Sequence, residues 1–106
     1  MPSAKGYIKS HPGGSKFTAT FVLDEINHHF DGNLNPNVQD FTSNVATLEY
    51  EDVGQLTGQQ QFNGKIGISD ITLNLANGPK IAGSLTMPVD PAVTVSGSGT
   101  WSSKSS

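Results

Sequence analysis

The densest set of groups able to do chemistry lies in one short stretch: Asp24, Glu25, His28, His29 and Asp31. Imidazoles beside carboxylates are what zinc or a similar divalent ion requires. Adjacent histidines on a strand point to opposite faces, so only one of His28 and His29 joins a given site. Asp24, His28 and Asp31 are therefore the candidate metal ligands. A structural zinc site needs four closed ligands, and this stretch supplies two or three. The preferred reading is a polar hairpin tip with one packed histidine and no cofactor.

The run from Asp31 to Asn37 (Asp-Gly-Asn-Leu-Asn-Pro-Asn) places oxygen-bearing side chains at every second position. Calcium loops use such alternation. Pro36 stands where the sharp-turn glycine belongs, and Thr42 where the bidentate carboxylate belongs. A solvated loop rich in turn formers is preferred, with a weak calcium site completed by Glu49 or Asp52 as the alternative.

Nucleophilic catalysis finds little support. Cysteine is absent, and no Gly-x-Ser-x-Gly occurs. Gly97-Ser98-Gly99 is too short for that motif and lies in a strand-like run. Glu49 and Glu51 share a strand face and could serve as an acid and base pair. Exposed carboxylates on an outer sheet face are far commoner. An enzyme, or a small ligand-handling barrel, would place its polar site around residues 24–31.

Binding without catalysis is the reading the residues favour. Tyr50, Trp101, Gln59 and Gln61 form the candidate ligand set, an aromatic platform edged by amides. Aromatic rings stack on the apolar faces of sugars, and amides satisfy sugar hydroxyls. The partner is then a carbohydrate or another protein. Trp101 could instead plug a barrel end.

The chain has 106 residues and a formal charge of −3. No basic stripe exists, so nucleic-acid binding lacks its electrostatic contribution. No run of 18 apolar residues exists, so no membrane span is expected. Met1 to Tyr7 contain no apolar signal core. That fits a soluble protein that is either cytoplasmic or secreted after processing. No Asn-x-Ser/Thr sequon occurs. The hydrophobic fraction is 34%. Counting glycine raises it to roughly 45%, an ordinary figure. The shortage is in large side chains, and small polar residues between short apolar runs suit sheets and turns.

The clearest element is the stretch Asp70–Met87. Ile71, Leu73 and Leu75 alternate with polar or small residues, Asn77-Gly78 supplies a turn, and Ile81, Gly83, Leu85 and Met87 alternate on the return. This predicts a hairpin with one buried face. Residues 1–16 read as loop-rich. Phe17, Ala19, Phe21 and Leu23 share a strand face. His28 to Phe30 are extended, and Asn33 to Asn37 read as loop. Val38 to Ser43 allow a short turn of helix. Asn44 to Tyr50 form a strand, and Gly54 to Phe62 a poorly anchored one. Asn63-Gly64 gives a second turn signal, with Ile66 and Ile68 on one face beyond it. Ala92 to Trp101 form the last strand. Gly97 and Gly99 on its inward parity imply a bend or a close neighbouring backbone. Residues 102–106 read as a polar tail. Phe30 to Pro36 faintly echo Ile81 to Pro88, a pattern also met by chance.

These elements predict one all-β domain over residues 1–106, with six to eight antiparallel strands. A small β-sandwich is preferred to a closed or partly open β-barrel. The expected core includes Phe17, Phe21, Leu23, Leu48, Ile66, Ile68, Ile71, Leu73, Leu75, Ile81, Leu85, Val93 and Val95. A chain with few edge charges could also pair its edges in a homodimer.

Overall fold

The computed structural model describes residues 3–12, 15–23, 25–35 and 38–105. It contains eight strands: β1 (Ser3–Ser10), β2 (Lys16–Leu23), β3 (Ile26–Asn35), β4 (Thr42–Glu49), β5 (Gln59–Ile66), β6 (Asp70–Leu75), β7 (Lys80–Ser84) and β8 (Val93–Ser105). Each strand pairs with two neighbours in the order β1-β2-β3-β8-β5-β6-β7-β4, and β4 returns to β1. The sheet is therefore a closed antiparallel barrel, where the sequence favoured the sandwich. The pairings that decide closure, β1 with β4 and β3 with β8, join segments far apart in the chain. Local turn signals do not report them.

Alternation dictates which side chains fill the barrel. Phe17, Ala19, Phe21 and Leu23 of β2 point inward, as do Phe30 and Leu34 of β3 and Ile71, Leu73 and Leu75 of β6. Phe17, Phe30, Phe62 and Trp101 form a contiguous aromatic cluster, with ring centroids 4.9–6.1 Å apart. Such rings bury large areas and prefer the tilted and edge-on contacts found here. The connections seal the ends. Val38 and Phe41, between β3 and β4, and Val89, between β7 and β8, are buried at one end. Leu56, between β4 and β5, is buried at the other.

The order of strands maps onto itself when β1–β4 are exchanged with β5–β8. Each half is a three-stranded meander whose fourth strand crosses to the seam. Gly6 in β1 and Gly64 in β5 occupy matching places. A side chain on Gly6 would collide with the Thr20 carbonyl, and one on Gly64 with the Thr72 carbonyl. Gly6 pairs with Phe21 and Gly64 with Leu73. The sequence echo falls on the matching strands β3 and β7. The ladders, however, match Ile81 with His28, the partner of Phe21, so the echo is displaced by two residues.

Several expectations are corrected. Residues 1–16 hold a full strand, β1, because Gly6 serves a close backbone approach and is no breaker. Asn63-Gly64 lies inside β5 for the same reason. β3 runs through Gly32 to Asn35, so Asp31, Asn33 and Asn35 alternate because they share the outer face of a strand, not a calcium loop. Residues 38–41 form no helix, and β4 begins at Thr42. A 3-10 turn at Val53–Gln55, capped by the Asp52 side chain, precedes β5. The expected tail is the end of β8, whose ladder with β3 continues to Ile26 and Ser105. Backbone pairing with β3 carries it as far as Ser105, and Ser106 lies outside the described residues. Ile68 is 54% exposed, because Gly67 at φ +107 breaks the alternation after Ile66. Leu85 and Val93 pack against the core from partly buried positions. Each strand pairs with two neighbours, and beyond Thr100 β8 continues against β3 alone. No helix among the described residues is long and apolar enough to cross a membrane.

Candidate functional site

The outer face of β3, β8, β5 and β6 carries a trough of about 540 Å³. Two cross-strand rows build its walls. Asn33, Ser98 and Gln61 form one row, and Asn35, Ser96, Asn63 and Asn74 form the next. These positions are outward because their neighbours Leu34, Phe62, Leu75 and Val95 point into the core. Strand spacing sets the length: four strands side by side span about 14 Å. Gly97 lies in the floor. A side chain there would collide with the Asn33 carbonyl, so glycine lets β8 approach β3.

The trough is polar without being charged. Its five amides and two hydroxyls include no titratable group. None of these side chains hydrogen-bonds to another described residue. By contrast, Gln55 and Asn77 spend their amides on each other's backbone, at 2.9 Å. The trough amides each keep a carbonyl acceptor and two N–H donors for an incoming partner.

Of the residues singled out in the sequence, Gln61 lies in the trough. Gln59 is exposed on the same strand, opposite Thr100. Trp101 points the other way, into the core, with 5% of its surface exposed and its ring 4.9 Å from Phe30. Tyr50 follows β4 and packs partly buried against the core. The aromatic platform is thus not assembled: its rings fill the barrel while its amides face out.

The segment around residues 24–31 divides across the barrel wall. His28 points inward and is 7% exposed. Burial, and then the neighbouring His29, lower its pKa below 6.5. His29 faces out and its Nδ1 lies 3.0 Å from Thr20 Oγ1. Asp31 also faces out, where Thr18 Oγ1 donates to its Oδ1 at 2.6 Å. His28 and Asp31 therefore cannot ligate one ion. Asp24 lies outside the described residues. Among the described residues no three His, Asp or Glu side chains are placed to hold a metal. Two buried polar atoms, His28 Nδ1 and Trp101 Nε1, have no hydrogen-bond partner among the described residues.

The sequence reading placed Asn33 and Asn35 in a loop or weak calcium site and missed Asn63, Asn74, Ser96 and Ser98. Its usable signal was the alternation in Asn33-Leu34-Asn35 and Ser96-Gly97-Ser98, which marks the outer face of strands. No protein-family model, curated protein or solved structure matches the chain.

Proposed function

We propose that the protein is a non-catalytic binding module whose outer trough takes a neutral, hydroxyl-rich ligand, namely a carbohydrate. The observation that carries this reading is the double row of amides and serines with unspent hydrogen-bonding groups and no charge. Sugar hydroxyls both donate and accept, as carboxamides do. A neutral lining favours neutral sugars over nucleotides or acidic peptides, which call for cationic partners. The 14 Å length, about that of four strands abreast, suits a short oligosaccharide lying across the strands. The barrel supports the same reading: a preformed, rigid surface loses little freedom on binding. An active site around residues 24–31 is less well supported, since its groups face opposite sides of the wall.

Calorimetric titration with a panel of neutral oligosaccharides tests the proposal. Each neutral hydrogen bond contributes ~0.5–1.5 kcal/mol. The double variant Gln61→Ala/Asn63→Ala should therefore weaken binding by about tenfold. A panel without a binder, or a variant that binds as the wild type does, contradicts it.

A further inference from the structure

The adjoining wall, β1–β2–β3, has a different character. These strands hold three lysines, Lys5, Lys9 and Lys16, all exposed, against one carboxylate, Asp31. The chain as a whole is acidic. A hollow of about 460 Å³ opens on this wall, lined by Tyr7, Lys9, His11, Pro12, Thr20 and His29 among others. We propose that this hollow is a second binding site, for an oxyanion carried on a ring.

Its floor is built rather than incidental. Thr20 faces outward yet is only 6% exposed, because Tyr7 and His29 flank it on the paired strands. Its hydroxyl lies 3.0 Å from His29 Nδ1. With Thr20 donating, the neutral imidazole carries its proton on Nε2, a free donor. His11 is fixed as well. Thr18 donates its one proton to Asp31, so it accepts from His11 Nε2 at 2.8 Å. Asp31 keeps its negative charge, and the three lysines of this wall outnumber it. Lys9 supplies the full positive charge at the rim. The Tyr7 ring is half exposed and, with Pro12, gives an apolar surface beside these donors. Charge on one side and a ring face on the other select an anion that has a ring attached.

The test is an NMR titration of the intact protein with phenyl phosphate, benzoate, inorganic phosphate and benzyl alcohol. Phenyl phosphate or benzoate should saturate at concentrations about tenfold below the other two, and comparison of the two shows which oxyanion is preferred. Tyr7→Ala and Lys9→Ala, both at exposed positions, should each weaken that binding about fivefold or more. Lys65→Ala on β5 should leave it unchanged. Equal response to benzyl alcohol, no saturable binding of either ring-bearing anion, or an equal loss in Lys65→Ala overturns the proposal.

Discussion

Gly32 and Gly99 face each other across β3 and β8, and the room left by their missing side chains is occupied by Phe17 and Phe30. A Cβ on Gly32 would sit 2.5 Å from Phe17 Cε1, and one on Gly99 would sit 2.6 Å from Phe30 Cζ. The two longest strands can therefore carry a cluster of four rings on their inner side. Gly32→Ala and Gly99→Ala should each destabilise by ~1–3 kcal/mol, the usual cost of overpacking a core. Gly99→Ala should be the worse, because its Cβ also meets the Asp31 carbonyl at 2.8 Å. Urea unfolding measures both, and a loss below about 0.5 kcal/mol would show that the rings yield easily.

Trp101 separates a core role from a ligand-platform role. Its side chain is buried against Phe30, so Trp101→Ala should cost ~3–5 kcal/mol. Its Nε1 has no partner among the described residues, and an unpartnered buried donor costs ~1–3 kcal/mol. Trp101→Phe removes that donor along with some volume. It should therefore be far milder than Trp101→Ala. Equal losses in the two variants would mean that Nε1 is satisfied in solution.

His28 makes stability depend on pH in a set direction. Burial, then His29, hold its pKa below 6.5. The unfolded chain thus binds the proton more readily than the folded one. Stability is full above about pH 6.5 and is lost as the pH falls from there toward the lowered folded value. His28→Leu removes this dependence and the unpartnered Nδ1 together. Melting temperatures at about pH 7.5 and about pH 5, on either side of the histidine range, check it. The wild type should lose more than the variant, and equal losses would refute the assignment.

Gly78 closes the β6–β7 hairpin at φ +120, with its N–H donating to the Leu75 carbonyl at 3.0 Å. An L side chain seldom adopts that backbone conformation. Gly78→Ala should cost ~1 kcal/mol or more, read from the midpoint of denaturant unfolding. A neutral result would mean that the turn relaxes to another form.

This hairpin was the most legible part of the chain, because alternation and a turn signal agree at one place. The glycines were the least. Asn77-Gly78 is a turn and Asn63-Gly64 is not, although both offer the same local sequence. Gly64 is there for the Thr72 carbonyl, which arrives from a neighbouring strand. Closure was hidden for a related reason: β3 with β8 and β1 with β4 are long-range pairings. Asn33-Leu34-Asn35 reads as loop because turn formers cluster there ahead of Pro36, so its alternation suggests a solvated loop first and a weak calcium site second. The candidate carbohydrate site was thus present in the sequence as a pattern, but only the ladders of β8 with β3 and with β5 show that its residues share a face with Gln61.

The most direct test of the central proposal is a two-dimensional amide NMR titration of the full chain with a neutral oligosaccharide that the calorimetric panel identifies. The side-chain NH2 signals of Asn33, Asn35, Gln61, Asn63 and Asn74 should shift together, while those of Gln39 and Asn44 stay in place. Shifts confined to other surfaces, or no shifts at all, would contradict carbohydrate binding in the trough.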